Sequence, residues 1–143
     1  MSNLKDLTIW YENLKKSTLD QIENFYDANV YFKDPFNEIK GRDKLRKIFY
    51  HMFENFENPN FVFIDTMEND DEAFLTWDFY LKLNGIEYKI HGSSYLKYNK
   101  EKTIYYHRDY WDVGEEVLLN VPFVRSFYGY FRKKLALPED YSC

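Results

Sequence analysis

The 143-residue sequence predicts an α+β domain in which N-terminal helices cover one face of a curved antiparallel sheet, followed by a C-terminal helical tail. Patterns with helical spacing come first and alternating strand patterns follow, which is typical of the α+β class. An Asn84-Gly85 pair lies between two alternating segments and is the strongest short hairpin signal. Aromatic residues make up 21% of the chain and favour strands and pocket walls. Together these features predict a cone-shaped domain around a small-molecule pocket.

Three helices are predicted from apolar residues that recur at helical spacing. The first covers residues 3 to 16, where the apolar stripe consists of Leu4, Leu7, Tyr11 and Leu14. A second, short helix begins at a capping-box pattern of Thr18 and Gln21 and runs to about Tyr26. Gly41 opens the third helix, which carries the clearest apolar stripe of the chain. The positions of that stripe are Leu45, Ile48, Phe49, Met52, Phe53 and Phe56.

The strands are predicted from runs of aromatic and β-branched residues. They cover residues 29–33, 60–67, 73–83, the segment from Ile86 to a turn near Asn99, and Thr103 to Asp112. A two-residue turn at Asn84-Gly85 fixes the register of the central hairpin, because it pairs Leu83 with Ile86. That register places Trp77, Phe79 and Ser94 on the inner face of the sheet, and it sets His91 beside Asp78 on the outer face.

Composition and charge exclude several classes of function. The formal net charge of −5 and the pI of about 5.2 argue against nucleic acid as a partner. No apolar stretch is long enough to span a membrane, and no signal peptide is recognised. The single cysteine, Cys143, cannot form an internal disulfide, so we expect a reducing, cytoplasmic location. No zinc-site spacing or phosphate loop is present, so neither a metal nor a cofactor is predicted.

The most informative segment lies near the end of the last predicted strand. Alternate residues of a strand share a face, so His107, Asp109 and Trp111 point the same way. If that face is the interior, an imidazole and a carboxylate lie together and can act as a general acid/base pair. The alternatives are a buried pair that only satisfies its own hydrogen bonds, or a set that faces outward. Burying two ionisable groups is costly, and a functional role would explain that cost. The functional interpretation is therefore about as well supported as the two alternatives.

A second candidate, Asp34, lies where a strand breaks at Asp34-Pro35. Such a carboxylate can point into a cavity, or it can cap its own turn, and the turn is the more frequent role. Trp10 and Tyr26 lie on helix faces that should cover the sheet, so core packing is their default interpretation. The aromatic and basic tail from Val121 to Leu135 could lie on a membrane, cover the open end of the cone or contact another subunit.

Taken together, several segments resemble the nuclear transport factor 2-like superfamily, which includes ketosteroid isomerases, limonene epoxide hydrolases and SnoaL-like polyketide cyclases. These segments run from Tyr26 to Pro35, then Gly41-Arg42 at a helix start, the Asn84-Gly85 hairpin, and Asp109-Tyr110-Trp111. The resemblance covers residues 4 to 112 and implies a cystatin-like fold, a curved sheet wrapped round helices.

The resemblance also implies roles for individual residues. Asp34 matches the proton-shuttling aspartate of the isomerases, and Tyr26 matches a supporting tyrosine. Trp10 and Ser94 stand where those enzymes have their two hydrogen-bond donors to the oxyanion. Asp109 matches a water-activating aspartate of the epoxide hydrolases.

These residues predict a cofactor-independent acid/base enzyme that acts on a hydrophobic small molecule. Isomerisation, cyclisation, dehydration and epoxide hydrolysis all suit the set. His107, Asp109 and Asp34 would move protons, and the pocket walls would be Trp10, Tyr26, Trp77, Phe79, Ser94 and Trp111. A binding protein without turnover is the second hypothesis. The third is an interaction module that forms a homodimer through the outer face of the sheet.

Overall fold

The computed structural model describes residues 4–116, 130 and 133–136. The chain divides into two structural units, Met1–Trp111 and Asp112–Cys143. In the first unit, helices α1 (Leu4–Glu12) and α2 (Arg42–Asn55) and a 3₁₀ helix (Lys16–Asn24) accompany a six-stranded sheet. The strands are β1 (Tyr26–Lys33), β2 (Glu38–Lys40), β3 (Glu57–Glu68), β4 (Glu72–Leu83), β5 (Ile86–Tyr98) and β6 (Ile104–Trp111). The predicted α+β class and the curved sheet are confirmed.

The strand order in the sheet is β2-β1-β6-β5-β4-β3. All neighbouring strands are antiparallel except β1 and β6, which run parallel. The parallel pair was not predicted, because local sequence patterns indicate strands but not the distant strand that each one joins. The short β2 was not predicted either, since three residues are too few to show an alternating pattern.

The central hairpin forms in the predicted register. Leu83 pairs with Ile86, and Trp77 lies opposite Gly92. Asn84 and Gly85 have φ values of 52° and 78°, the left-handed conformation that a two-residue hairpin turn needs. This register brings the side chains of β4 and β5 that face the helices into fixed neighbouring positions.

The helices differ from the sequence prediction at their ends. Helix α1 ends at Glu12, four residues before the predicted end. The second helical segment is a 3₁₀ helix in which Thr18 is the third residue instead of the cap, and its hydroxyl accepts the Lys15 amide hydrogen. Helix α2 begins directly after Gly41, as predicted, and Phe56 lies just beyond its last residue.

One hydrophobic core lies between the helices and the sheet. It contains the apolar face of α1, the start of α2 through Leu45 and Phe49, and the inner faces of β1, β4, β5 and β6. Leu45 and Ile22 are fully buried, and Phe61 and Phe63 of β3 pack against the same cluster. Burial of these side chains is the main favourable term in folding, and it leaves a wall of apolar groups around any polar residue on the inner face.

The second unit is described only in part. Val113–Glu116 forms a helix, α3, and residues 133–135 are helical. The predicted role of the tail from Val121 to Leu135 therefore falls mostly outside the described residues. Within the parts that the structure describes, no helix is long and apolar enough to cross a membrane.

Candidate functional site

Six side chains form one continuous hydrogen-bonded array on the inner face of the sheet, here called the polar network. Its members, in order, are Tyr11, Tyr26, His107, Asp109, Ser94 and Trp77. The two tyrosine hydroxyls are hydrogen-bonded to each other, and the Tyr26 hydroxyl lies 2.8 Å from Nδ1 of His107. Nε2 of His107 lies 2.6 Å from Oδ1 of Asp109.

The register of the strands brings the network together. Ser94 of β5 lies directly opposite Asp109 of β6, and its hydroxyl donates to Oδ1 of that carboxylate at 2.5 Å. The indole N–H of Trp77 donates to the Ser94 hydroxyl oxygen at 2.8 Å. On the other side, the parallel pairing of β1 with β6 sets Phe32 beside His107. The six residues come from five elements, α1, β1, β4, β5 and β6, so only the folded domain assembles them.

Donor and acceptor chemistry fixes most of the hydrogens. An indole can only donate, and the hydroxyl of Ser94 then donates onward to Asp109. A carboxylate can only accept, so Nε2 of His107 carries a hydrogen and donates to it. In a neutral imidazole Nδ1 is then an acceptor, and it receives the hydroxyl hydrogen of Tyr26. Asp109 thus sets the tautomer of His107, as in other carboxylate–histidine pairs.

The network is buried except at Asp109, whose side chain is 19% exposed. His107 is 4% exposed, Tyr11 is 5% exposed and Tyr26 is fully buried. Burial raises the pKa of Tyr11 above its ordinary value of 10.0, although the hydrogen bond with Tyr26 opposes the rise. Burial also raises the pKa of Tyr26 well above 10.0, and Tyr11 adds to that rise. Both phenols therefore keep their hydrogens at physiological pH.

A small cavity adjoins the network. Its volume is about 30 Å³, the scale of one or two water molecules. Its wall consists of Leu7, Tyr11, Phe49, Phe61, Phe63, Leu75, Trp77, Ser94, Leu96, His107 and Asp109. Five of the six network residues contribute to that wall, and the rest of it is aliphatic or aromatic. Polar groups converge on one side of an apolar space, which is the usual composition of a small-molecule site.

Four residues predicted for the site lie on this cavity: His107, Asp109, Trp77 and Ser94. Tyr26 lies one step behind the wall and contacts the cavity residues Tyr11 and His107. Its ring is also nearly parallel to the His107 imidazole, with centroids 5.8 Å apart. The inward direction expected for His107 and Asp109 is therefore what the structure has.

Asp34 lies apart from this cavity. Its carboxylate accepts the backbone N–H groups of Phe36 and Asn37 at 2.8 and 2.6 Å. The side-chain amide of Asn37 also contacts both carboxylate oxygens at 3.2 Å. These bonds close the turn after β1, which is the turn-capping alternative considered for this residue.

The remaining predicted pocket residues are not in the cavity wall. Trp10 is buried in the core, and its indole N–H donates to the Thr18 carbonyl at 3.1 Å, which ties α1 to the 3₁₀ helix. Phe79 stacks on Phe61 with ring centroids 4.6 Å apart. Trp111 packs edge-on against Phe36. These three aromatic residues act as packing partners.

Tyr11 is the cavity residue that sequence reasoning treated only as part of an apolar helix stripe. Helix α1 turns Trp10 toward the 3₁₀ helix, so the residue of α1 that brings a hydroxyl group to the cavity wall is Tyr11, the next residue. The one available signal was a tyrosine among leucines, because a buried phenol usually has a hydrogen-bond partner.

A second aspartate–histidine pair lies on the outer face of the sheet. Nδ1 of His91 is 2.8 Å from Oδ1 of Asp78, as the hairpin register predicted, and Lys89 lies 3.5 Å from the same carboxylate. The His91 hydrogen bond lowers the pKa of Asp78. This pair has the same chemistry as His107 and Asp109, but its histidine is exposed to solvent. Within the described residues, no cluster of three or more histidine, cysteine or acidic side chains could hold a metal ion.

Gly92 should be essential for the position of Trp77. A Cβ atom at Gly92 would lie 2.6 Å from a carbon of the Trp77 ring, closer than packed atoms approach. We expect Gly92→Ala to lower the free energy of unfolding by about 1–3 kcal/mol, the usual effect of overpacking. Urea unfolding measures the change. The control is Ser93→Ala, on the opposite face, with an expected change within about 0.5 kcal/mol. Equal stability of Gly92→Ala and wild type would contradict this packing.

Comparisons with known proteins agree with the fold. A protein from Catenulispora acidiphila with a ketosteroid isomerase-like fold, solved with trimethylamine, superposes with a TM-score of 0.71 at 13% identity and covers 99% of this chain and 100% of its own. An M. tuberculosis epoxide hydrolase of the limonene epoxide hydrolase-like type gives 0.67 at 11% identity, with coverage of 92% and 94%. A Jannaschia protein described as a SnoaL-like polyketide cyclase gives 0.63 at 10% identity, with coverage of 74% and 83%.

These identities are low, so the superpositions establish the fold alone. No protein of curated function matches this sequence. The SnoaL-like domain profile matches residues 7–107, which run from within α1 to the middle of β6 and contain five of the six network residues. The chain therefore belongs to the SnoaL-like domain family.

Proposed function

We propose that this protein is a cofactor-independent acid/base enzyme that acts on a hydrophobic small molecule, by isomerisation, cyclisation, dehydration or epoxide hydrolysis. The observation that carries the proposal is the pair of His107 and Asp109, joined at 2.6 Å in the wall of an apolar cavity. Two ionisable groups on such a wall are costly to bury, and a function in proton transfer accounts for their presence.

Asp109 is the base in this proposal. The hydrogen bonds of the polar network to this carboxylate all end on Oδ1, so Oδ2 is the oxygen left to accept a proton. His107 stabilises the carboxylate in its reactive orientation and can exchange a proton through Nδ1 and Tyr26. Asp34 was a further candidate, but we assign it to the turn after β1 because its carboxylate is bonded there.

The size of the cavity shapes the mechanism. A volume of about 30 Å³ holds one or two waters, well below the roughly 300 Å³ of a usual ligand pocket. A substrate therefore reaches Asp109 either after movement of the apolar wall or through a water held beside the carboxylate. Phe61 and Phe63 are the half-buried members of that wall, so they are the side chains with room to move. We place the activity in the cytoplasm, consistent with a chain that has one cysteine.

A non-catalytic role is the alternative, and the same small volume favours it. In that case the polar network would only satisfy its own groups, and the protein would bind a ligand or another protein chain. A homodimer would use the outer face of the sheet, where Val62, Phe74 and Tyr80 are more than a third exposed.

Isotope exchange tests the enzyme proposal without knowledge of the full reaction. Small enolisable ketones and 1,3-dicarbonyl compounds are incubated with the protein in D₂O, and small epoxides in H₂¹⁸O, without added metal or cofactor. We expect deuterium at the carbon beside a carbonyl, or ¹⁸O in a diol, for at least one class. Mass spectrometry measures the incorporation.

The result must depend on the proposed pair. Exchange that exceeds the buffer rate and falls in the His107→Gln variant supports catalysis. If no compound of any class exchanges, and a co-purifying ligand is recovered unchanged, the protein is a binding module and the enzyme proposal is wrong.

A further inference from the structure

The polar network ends, on one side, at a tyrosine of the cavity wall. Tyr11 belongs to the cavity wall, and its hydroxyl is bonded to the Tyr26 hydroxyl. Each of the two phenols can either donate to its neighbour or accept from it. The direction in which the two hydroxyls donate is therefore decided by the group that Tyr26 contacts. That group is Nδ1 of His107, 2.8 Å from the Tyr26 hydroxyl.

With a neutral His107 the direction is fixed. Nε2 donates to Asp109, so Nδ1 is bare and accepts from Tyr26. Tyr26 has then used its hydrogen, and its oxygen receives the hydrogen of Tyr11. The Tyr11 oxygen then keeps only lone pairs for a further partner, so in this state it can only accept a hydrogen bond.

Protonation of His107 reverses the direction. Both ring nitrogens of an imidazolium are donors, so Nδ1 now donates to the Tyr26 oxygen. Tyr26 turns its hydrogen to Tyr11, and the hydrogen of Tyr11 becomes free to donate to another group. No backbone movement is required, because the same three atoms keep their contacts and only the hydroxyl hydrogens turn.

We propose that Tyr11 is the ligand-facing end of the network and that the charge of His107 decides whether its hydroxyl accepts from or donates to a bound molecule. A neutral His107 favours an alcohol or a water at this point, and a protonated His107 favours a carbonyl oxygen or an oxyanion. The inference deepens the proposed function by naming the oxygen group that the site would recognise. Its test needs no turnover, so it can fail separately from the enzyme proposal.

The same array can pass a proton. Tyr11 gives its hydrogen to a substrate oxyanion, Tyr26 gives its hydrogen to Tyr11, and Nδ1 of His107 gives its hydrogen to Tyr26. One proton leaves the imidazolium and one arrives on the substrate, so charge and atoms balance. Burial raises the pKa of both phenols, which keeps them in the neutral form that such a transfer needs.

The groups around His107 are compatible with this behaviour. Asp109 on its own strand is the charged group bonded to it, and Tyr26 of β1 lies against its ring. Tyr11 of α1 reaches it through Tyr26, and Tyr98 of β5 acts electrostatically on Tyr26. Phe32 is an uncharged neighbour, edge-on at 4.9 Å between ring centroids.

Nuclear magnetic resonance of the full chain tests the reversal. The protein is labelled with ¹⁵N-histidine and with ¹³Cζ-tyrosine, and His107 is titrated. We expect the Cζ signals of Tyr11 and Tyr26 to shift with the same midpoint as the His107 nitrogens. In Tyr26→Phe, which keeps the ring, His107 should still titrate while Tyr11 no longer follows it.

The matched control is Tyr98→Phe. The Tyr98 hydroxyl is buried and has no hydrogen-bond partner among the residues that the structure describes, so its removal should leave the coupling between Tyr11 and His107 intact. A Tyr11 signal that never follows His107 in wild type overturns the proposal. A Tyr11 signal that still follows His107 in Tyr26→Phe also overturns it, because the coupling would then be a field effect and not a hydrogen-bond reversal.

A second measurement applies if Tyr26→Phe does not fold. Acetone and 2-propanol have similar shapes, but acetone can only accept a hydrogen bond. We expect acetone to bind about fivefold more tightly when His107 is protonated, the worth of one hydrogen bond, and Tyr11→Phe to remove that difference. The preference for acetone over 2-propanol should fall when His107 is neutral. Acetone affinity that does not change with the protonation of His107 overturns the proposal.

Discussion

Asp109→Asn is expected to lower the turnover of any substrate by about 10²–10⁴-fold, the usual contribution of a general base. Asparagine has the same shape and can keep the contacts with Ser94 and His107, so the fold should remain. It cannot accept a proton at Oδ2, so the rate of the chemical step should fall while substrate binding changes little. Steady-state kinetics on a substrate found by isotope exchange measures both quantities.

The outer pair provides the control. Asp78 is also bonded to a histidine, His91 at 2.8 Å, but it lies on the outer face of the sheet. Asp78→Asn therefore removes the same charge and the same type of contact without touching the cavity, and its turnover should equal that of wild type. If Asp109→Asn turns over as fast as Asp78→Asn, Asp109 is not the base.

Much of this site could be predicted, because two local rules decide it. Strand alternation put His107 and Asp109 on one face, and the hairpin turn put Ser94 and Trp77 on that same face. The hairpin signal also placed His91 and Asp78 together on the other side. In each case the rule acts over a few residues and is enforced by a buried sheet face, since a slip of one residue would expose the whole apolar set.

The position of Tyr11 could not be predicted in this way. Helical spacing shows that Tyr11 belongs to a buried stripe, but its hydrogen-bond partner Tyr26 lies 15 residues further along the chain. Tyr26 in turn contacts His107, which lies another 81 residues along the chain. That contact depends on the parallel pairing of β1 with β6, which no local pattern indicates. The resemblance pointed to Trp10 for the donor position, one residue before the tyrosine that lines the cavity.

Asp34 shows the opposite outcome of a resemblance. The match to an isomerase aspartate rests on a strand that ends at Asp34-Pro35, and the structure has that strand end. Two backbone N–H groups and the side-chain amide of Asn37 donate hydrogen bonds to the Asp34 carboxylate. An aspartate in a turn commonly accepts hydrogen bonds from the backbone of the following residues. That general tendency therefore predicted the contacts of Asp34 better than its match to the isomerase aspartate did.

The buried phenols should also make the stability of the protein fall steeply in alkali. The pKa of Tyr11 and that of Tyr26 are raised above 10.0 by burial. An unfolded tyrosine ionises near pH 10, whereas these two stay protonated in the folded state, so the unfolded state binds fewer protons there. Their contribution is fully present below pH 10 and is lost as the pH rises from 10 toward the folded values. Each group should remove about 1.4 kcal/mol of unfolding free energy per pH unit.

Urea unfolding between pH 9 and about 11.5 measures this slope. Each single variant, Tyr26→Phe or Tyr11→Phe, should reduce the slope by the contribution of one tyrosine. The double variant should reduce it by the contributions of both tyrosines. Some slope remains in the double variant, because burial, with the charge of Glu68, raises the pKa of Tyr98 to about 12. Tyr110→Phe, which removes an exposed hydroxyl, should leave the slope unchanged. If Tyr11→Phe and Tyr26→Phe leave it unchanged too, the two hydroxyls titrate alike in the folded and unfolded states, and the network is open to water.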